Sequence, residues 1–205
     1  KEQKQQEPEE EEGDARRKRR DRHCELSNVL RLRHGRARFG HALEDHAMQD
    51  QTADLIWREG EVPVSVRFDD PYFSLDNGLA ETRHVFLAGN DLPERFRPGF
   101  HIAELGFGTG LNFLALWDLF LKTAPSDAQL HFVSIEGFPL RQADAERALS
   151  AFPELAALSA QLTEVWPSPH KGPHRRVFEG GRVMLTVFHD LAESALPNMD
   201  FKADA

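Results

Sequence analysis

The sequence predicts an α/β fold built on a parallel, doubly wound sheet. Apolar runs of strand length alternate with longer stretches in which apolar residues recur at helical spacing. A glycine-rich turn joins one such strand to its helix, and acidic residues follow at the predicted strand ends. Because open α/β sheets bind ligands beyond the carboxyl ends of their strands, these acids mark the expected functional edge.

The first 52 residues are expected to form a disordered, charged tail. The acidic run Glu9–Glu12 precedes the basic run Arg16–Arg20, and residues 23–51 are rich in His and Arg without periodicity. Acidic and basic residues balance up to Arg22, so the net charge of -9 belongs to the remainder of the chain. The basic run is interpreted as a solvated charge cluster, with a nuclear address or a nucleic-acid arm as the alternative.

The composition of the 205-residue chain indicates one domain with appendages, since 40% hydrophobic residues suffice for a core in part of it. The negative net charge disfavours generic nucleic-acid binding but is compatible with a local basic patch. The single Cys24 excludes an intramolecular disulfide and fits a reducing compartment, and no metal site is predicted.

No apolar stretch approaches the ~18 residues of a membrane span and there is no secretory signal, so we expect a cytoplasmic protein. Because the chain begins with Lys1, it is expected to be a fragment or a processed product.

A small lid or platform is predicted over residues 53–99, ahead of the main sheet. Residues 54–57 and 62–68 have the pattern of a β-hairpin, whose second strand places Val66 and Phe68 on its apolar face.

Turns and one helix complete this platform. The dipeptide Asp70-Pro71 and the tripeptide Asp76-Asn77-Gly78 predict turns. Apolar residues at helical spacing then predict a helix over Leu79–Leu87.

The main sheet is predicted to begin with the strand 100–105, which runs into the turn Glu104-Leu105-Gly106-Phe107-Gly108-Thr109-Gly110. Backbone N–H groups and a helix N-terminus converge at such a turn. A dinucleotide fingerprint would need glycine where Leu111 stands, and a P-loop would need Lys-Ser/Thr there. The remaining pattern, Glu-x-Gly-x-Gly-x-Gly, is typical of S-adenosylmethionine-dependent methyltransferases, and the alternatives are a site for another nucleotide or a tight turn without a ligand.

Helices and strands continue to alternate after the turn. The pattern predicts a helix over 111–121, a strand over 130–135, a helix from Pro139 to Leu149, a helix from Pro153 to Trp166, a loop over 167–174, and a strand pair from 177–178 and 182–188 around Gly180-Gly181.

Acidic residues stand at the ends of three successive predicted strands, at Glu104, Glu136 and Asp190. The three carboxylates should therefore converge on one bound molecule. The two oxygens of Glu136 match a vicinal ribose diol, and Asp190 can accept an adenine amino group.

The segments that surround these motifs carry a family resemblance. They are Tyr72-Phe73-Ser74, Asp76 to Arg83, Val85-Phe86-Leu87, Gly89-Asn90, Glu104 to Phe113, Ser134-Ile135-Glu136, Phe138-Pro139-Leu140 and Gly180 to Val183. Over about 53–205 the chain resembles the methyltransferase domain of the MnmC family, bacterial bifunctional enzymes that make 5-methylaminomethyl-2-thiouridine at the tRNA wobble position. The resemblance implies a Rossmann-like class I S-adenosylmethionine-dependent methyltransferase sheet, incomplete in this chain and preceded by the hairpin/helix segment and the disordered tail.

The resemblance also implies a substrate, a cofactor and site residues. S-adenosylmethionine would methylate the amine of 5-aminomethyl-2-thiouridine in tRNA. The implied cofactor-binding residues are Glu104, Gly106, Phe107, Gly108, Thr109, Gly110, Asn112, Glu136 and Asp190. Tyr72, Phe73 and Glu81 are expected to line the crevice. Candidate tRNA phosphate contacts, each also explicable as a solvated surface residue, are Arg95, Arg97, Lys171, Arg175, Arg176 and Arg182.

Two features depart from the family pattern. Family members often have Gly-Asp-Ala after the third strand, where this chain has His189-Asp190-Leu191. The family's main catalytic Asp, in a Leu-Asp-Gly-Phe-x-Pro segment, would lie beyond Ala205, so the catalytic residue is unknown and the chain is expected to be weakly active or inactive. FAD belongs to the family's second, oxidoreductase domain, which lies outside this sequence and would be a separate or fused partner.

Two other functions remain open at this point. One is a different Rossmann-type transferase that acts on a small molecule or a polyamine. The other is a non-catalytic fragment that binds S-adenosylmethionine.

Overall fold

A computed structural model describes residues 52–58, 61–74 and 77–205. The predicted disordered tail lies outside these residues apart from its last position, as do part of the first hairpin turn and Asp76 of the second predicted turn. No helix in the described part of the chain is long and apolar enough to cross a membrane.

A three-stranded antiparallel sheet precedes the main sheet. Its strands are β1 (Leu55–Arg58), β2 (Val62–Ser65) and β3 (Asp70–Pro71), in the order β1-β2-β3. The predicted hairpin is confirmed, but β2 ends at Ser65, and Val66 and Phe68 are exposed instead of forming a buried face. The predicted turn at Asp70-Pro71 is wrong, because these residues pair with β2.

The helix predicted over Leu79–Leu87 forms in three geometries. α1 (Gly78–Glu81) is α-helical, Thr82–Leu87 is a π-helix, and Ala88–Asn90 is a 3₁₀ turn. The Asn77 side chain caps α1 by accepting a hydrogen bond from the Ala80 N–H at 3.0 Å. A π-helical stretch is uncommon and is often found at functional sites.

The main sheet has four strands, β4 (Phe100–Leu105), β5 (Leu130–Glu136), β6 (Gly172–Phe178) and β7 (Val183–His189). Their order is β4-β5-β7-β6, with β4, β5 and β7 parallel and β6 antiparallel to β7. The α/β class is confirmed, but the sheet is mixed and not wholly parallel. The loop predicted over 167–174 is too long, since β6 begins at Gly172 and pairs with His189.

Helices cover the connections between these strands. They are α2 (Leu111–Thr123), α3 (Gln142–Leu149), α4 (Ala156–Glu164) and α5 (Ala192–Ala195), with 3₁₀ turns at Pro153–Leu155, Glu179–Gly181 and Leu196–Asn198. The prediction that Pro139 begins a helix is wrong, because the backbone is still extended at Arg141 and α3 begins at the following residue.

The hydrophobic core lies between the main sheet and α2. Trp117 and Phe113 of α2 are fully buried and pack on one another with ring centroids 5.5 Å apart. Phe178 of β6 contacts Trp117 at 4.4 Å, and Phe132 of β5 contacts Phe113 at 5.3 Å. These aromatic contacts fix α2, and with it the glycine turn that precedes it, against β5 and β6.

The last residues run along the outer edge of β4. The Asp204 N–H donates to the His101 carbonyl at 2.7 Å, and the Ala103 N–H donates to the Ala205 carbonyl at 3.0 Å. The Asp204 carboxylate accepts from the His101 N–H at 3.0 Å and pairs with Arg97. This contact lies toward the amino end of β4, whereas the glycine turn follows its carboxyl end.

Candidate functional site

The glycine turn adopts a backbone that only glycine forms at low cost. Gly106, Gly108 and Gly110 have φ of 90°, 52° and 78°. The Gly106 N–H donates to the Ile135 carbonyl at 2.8 Å, and the Gly110 N–H donates to the Phe107 carbonyl at 2.9 Å. The turn is therefore fixed to β5 and closed on itself before α2 begins.

Two glycines of the turn also make close contacts. A Cβ at Gly108 would lie 3.0 Å from Tyr72 Cδ1, and one at Gly110 would lie 3.1 Å from Leu162 Cδ2. The Tyr72 ring therefore lies against the turn. Burial, with smaller contributions from Glu136 and Asp144, raises the pKa of the Tyr72 hydroxyl to about 12, so the hydroxyl remains protonated at neutral pH.

Glu136, the last residue of β5, holds the turn from the other side. Its Oε2 accepts the Gly108 N–H at 2.9 Å, and its Oε1 accepts the Phe138 N–H at 2.7 Å. The side chain is only 9% exposed. Each carboxylate oxygen keeps a further acceptor position, because an ionised carboxylate offers about four lone-pair sites.

Glu104, next to last in β4, lies beside Ser134 in the parallel register of β4 and β5. Its Oε2 accepts the Ser134 hydroxyl and its Oε1 accepts the Asn112 amide, both at 2.9 Å. Asn112 Oδ1 in turn accepts the Thr82 hydroxyl at 3.1 Å. Burial raises the pKa of Glu104 to about 7, and the nearby Glu136 carboxylate adds to the rise, while the two hydrogen bonds oppose it.

Asp190 follows the end of β7 and differs from the other two acids. Its Oδ1 accepts the Leu191 N–H at 2.9 Å and lies 3.3 Å from Lys171 Nζ. The preceding His189 is buried against His174, with ring centroids 4.5 Å apart. Burial and His174 lower the pKa of His189 to about 4, so this ring adds no positive charge beside Asp190 near neutral pH.

The structure brings the three predicted acids to one edge of the sheet, since β4, β5 and β7 are neighbours and run in the same direction. Within the described residues, neither Glu104 nor Glu136 forms an ion pair with Lys, Arg or His. Asp190 alone among the three is paired, with Lys171. Buried carboxylates without a cation of the protein favour a cationic or hydroxyl-bearing ligand.

The other predicted site residues lie at different distances from this edge. Phe107 and Thr109 are buried, and the Phe107 ring packs against Trp166 at 5.6 Å, so these two residues offer backbone groups. Phe73 packs on Phe152 at 4.9 Å and contributes to the core. Glu81 is exposed on α1.

The sequence analysis did not assign a role to Ser134, which bonds to Glu104, or to Thr82, which is linked to Glu104 through Asn112. Ser134 is fully buried between the apolar residues Val133 and Ile135 of β5, and a polar residue at such a position signals a required hydrogen bond. Thr82 is 8% exposed and bonds to Asn112, thirty positions along the chain. No local pattern predicts that contact, because it depends on how the platform packs on α2.

Most of the candidate phosphate-contacting residues have partners within the protein. Arg176 donates to the Val165 carbonyl, Arg182 donates to the Pro125 carbonyl at 3.0 Å, and Arg97 pairs with Asp204. Among the described residues, no group of three or more His, Cys, Asp or Glu side chains could hold a metal ion.

Comparison with known proteins gives relatives of one kind. No protein-family model matches the chain. The chain is 49% identical over 170 residues to a tRNA 5-methylaminomethyl-2-thiouridine biosynthesis bifunctional protein MnmC from Stutzerimonas stutzeri, covering 80% of this chain and 26% of that protein. The MnmC proteins of Aeromonas hydrophila and Pseudomonas aeruginosa PAO1 are also 49% identical, over 159 and 160 residues, covering 74% and 76% of this chain and 24% of each relative.

A solved structure supports the fold. The crystal structure of MNMC2 from Aquifex aeolicus matches with a TM-score of 0.50 and 22% sequence identity, covering 69% of this chain and 43% of that one. At this identity the match is evidence about the fold alone. The chain spans about a quarter of the length of the MnmC relatives.

Proposed function

Because the chain is a relative of the MnmC proteins over about a quarter of their length, we propose that it is part of an S-adenosylmethionine-dependent methyltransferase that modifies the wobble uridine of tRNA. The reaction is methylation of the exocyclic amine of 5-aminomethyl-2-thiouridine. The main sheet is then the first part of a Rossmann-like class I methyltransferase sheet, with residues 53–99 as its platform and the first 52 residues as an appended tail.

One observation carries this proposal. The Glu136 carboxylate at the end of β5 bonds to the Gly108 N–H at 2.9 Å, while Glu104 lies one strand away. A glycine turn and two acids without ion pairs in the described part of the chain thus lie on one edge of the sheet. This donor and acceptor set fits a ligand that carries an ammonium group and a ribose diol.

Each acid has a role that its environment supports. Glu104 bonds to the ammonium group of the cofactor, because the ionised form of a partly buried acid is stabilised by a cation. Glu136 accepts from the ribose hydroxyls with the lone pairs that its backbone contacts leave free. Asp190 uses Oδ2 for the adenine amino group, since Oδ1 is occupied by Lys171 and the Leu191 N–H. The glycines allow the cofactor to approach the backbone, and Tyr72 covers the turn.

When bound, S-adenosylmethionine supplies an electrophilic methyl group on a sulfonium. The substrate amine must be unprotonated and aligned with that methyl carbon, so the protein contributes mainly position and electrostatic environment. A carbon–sulfur bond breaks, a carbon–nitrogen bond forms, and the amine loses a proton. The negative charge of the edge favours the cationic cofactor, and a carboxylate there can accept or orient the amine proton.

The proposal includes partners and a compartment. tRNA is the macromolecular substrate, and an FAD-dependent oxidoreductase domain is the functional partner, as the word bifunctional in the relatives' name suggests. The site of action is the cytoplasm, where tRNA is modified.

Binding calorimetry tests the proposal most directly. The 205-residue chain should bind S-adenosylmethionine and its demethylated product, and Glu136→Gln should weaken both by about tenfold or more, since a lost charged hydrogen bond contributes about 1.5–3 kcal/mol. Glu164→Gln, which alters an exposed acid at the end of α4, is the matched control and should bind as the unmodified chain does.

Methylation assays separate the remaining functions. Transfer to undermodified tRNA supports the proposed reaction, whereas transfer only to free amines supports a small-molecule or polyamine transferase. Binding without measurable transfer to either acceptor fits both the weak activity expected of this chain and a non-catalytic binding role. Absence of binding contradicts all three.

A further inference from the structure

A chain of hydrogen bonds links the platform to Glu104. The Thr82 hydroxyl bonds to Asn112 Oδ1 at 3.1 Å, and Asn112 Nδ2 donates to Glu104 Oε1 at 2.9 Å. Thr82 begins the π-helical stretch, whereas Asn112 is the second residue of α2 and Glu104 belongs to β4. Three elements that are separate in sequence thus meet at one carboxylate.

The direction of each hydrogen bond follows from what the groups can do. An ionised carboxylate only accepts, so the amide of Asn112 must present its NH₂ group to Glu104. The carbonyl oxygen of the amide then faces Thr82, whose hydroxyl donates to it. Without that hydroxyl, the amide is free to rotate and present its oxygen to the carboxylate, which would oppose ionisation of Glu104.

Glu104 depends on these donors because, among the described residues, no Lys, Arg or His forms an ion pair with it. Asn112 from α2 and Ser134 from β5 donate hydrogen bonds to it, and both are uncharged. The charged group that acts on it is the Glu136 carboxylate, also from β5, which disfavours ionisation. Orientation of the Asn112 amide is therefore a large part of what stabilises the ionised form.

We propose that Thr82 and Asn112 are positioning residues that hold Glu104 ready to receive the ammonium group of the cofactor. This inference rests on the proposed function and extends it to two residues, one of which lies on the platform. Packing of the platform against α2 thereby controls how strongly the cofactor amino-acid moiety is bound.

The test compares Thr82→Val, which keeps the shape and removes the hydroxyl, with Thr82→Ser, which restores it. Titration of the Glu104 carboxyl by NMR in the ligand-free chain should show a higher midpoint in Thr82→Val and an unchanged midpoint in Thr82→Ser. Calorimetry at pH 8 should show S-adenosylmethionine binding about three- to tenfold weaker in Thr82→Val, as expected for one lost hydrogen bond. Thr82→Ser should bind within about twofold of the unmodified chain.

The background variant Glu104→Gln distinguishes positioning from a general effect on structure. In that background, Thr82→Val should have no further effect on binding. An equal loss in both backgrounds, or unchanged binding and titration in Thr82→Val, would overturn the inference while the proposed function stands. If the unmodified chain does not bind S-adenosylmethionine, the inference and the proposed function are both wrong.

Discussion

The two ends of β4 hold carboxylates in opposite environments. At the carboxyl end, burial raises the pKa of Glu104 to about 7, with Ser134 and Asn112 as its only hydrogen-bond partners in the described part of the chain. At the amino end, burial acts to raise the pKa of Asp204 as well, but the His101 N–H and the Arg97 guanidinium outweigh it and lower the pKa.

The different environments of Glu104 and Asp204 suit the two carboxylates to different roles. Asp204 is neutralised within the protein and fastens the end of the chain to the sheet edge. Glu104 is left without a cation of the described chain, so its ionisation costs free energy that a cationic ligand can recover. The same residue class therefore serves attachment at one end of the strand and is suited to binding at the other.

The largest expected change in unfolding free energy, and the sharpest test of the contrast between the two ends of β4, concerns Glu104. Its raised pKa means that its contribution to stability is complete below the ordinary value of 4.5 and is lost as pH rises through about 7. Glu104→Gln has no carboxyl group to ionise and so avoids this loss. The free energy of unfolding of the variant, minus that of the unmodified chain, should therefore be higher at pH 8 than at pH 5 by on the order of 2–3 kcal/mol. Urea unfolding at both pH values measures this, with Glu164→Gln as control. If the free energies of unfolding of the variant and the unmodified chain changed with pH in parallel, the ionised form of Glu104 would not be destabilised in the folded state.

The second-largest expected change in stability concerns the glycine turn that follows Glu104. Gly110→Ala places a Cβ at φ 78° and 3.1 Å from Leu162 and Phe107. We expect it to lower the free energy of unfolding by about 1–3 kcal/mol. Gly89→Ala is the matched control, because Gly89 has an ordinary φ and a Cβ there would lie 3.9 Å from the His84 carbonyl oxygen, an ordinary contact distance. Equal stability of the two variants in urea would mean that the turn is not fixed as described.

Asp204 should respond to pH in the opposite sense from Glu104. Its pKa is lowered, so its contribution is present above the ordinary value of 3.8 and is lost as pH falls below it. Asp204→Asn should therefore destabilise the chain by about 1 kcal/mol at pH 7, and the difference should vanish in acid. Thermal unfolding over a series of pH values from 7 downward measures it, and a difference that does not shrink as pH falls below 3.8 would contradict the charge pairing.

The smallest effect sharpens the comparison within the carboxyl edge itself. Lys171 is the cation that pairs with Asp190 at 3.3 Å, and its side chain is 56% exposed. Lys171→Ala should change the free energy of unfolding by less than about 0.5 kcal/mol, because exposed ion pairs contribute little. A larger loss of unfolding free energy in urea at low salt would mean that an ion pair stabilises the carboxyl edge, as the pair of Asp204 and Arg97 does at the amino end of β4.

Long, strongly patterned elements were predictable from the sequence. The strand predicted over 130–135 and the helix over 111–121 are confirmed as β5 and α2, since their apolar residues are continuous or recur on one face. β3 and the start of β6 were not found, because Asp70-Pro71 and Gly172–His174 have the composition of turns. Only pairing with distant strands makes these residues extended.

The candidate site divides in the same way. The positions of Glu104, Glu136 and Asp190 at the ends of predicted strands indicated that they lie on one edge of the sheet. This followed because neighbouring parallel strands align their carboxyl ends. Contacts to Thr82 and Tyr72 were beyond local patterns, since both come from the platform and depend on its packing. The assignment of these residues to a cofactor stays a prediction.

The outer edge of β6 affects how copies of this chain behave at high concentration. Among the described strands, β6 pairs with β7 alone, so the backbone groups on its other side could template pairing with a second molecule, and the exposed Val177 adds apolar surface to that strand. Arg175 and Arg176 precede Val177 on that strand. Two copies that approached edge to edge would bring like charges together, and this repulsion favours colloidal stability over self-association.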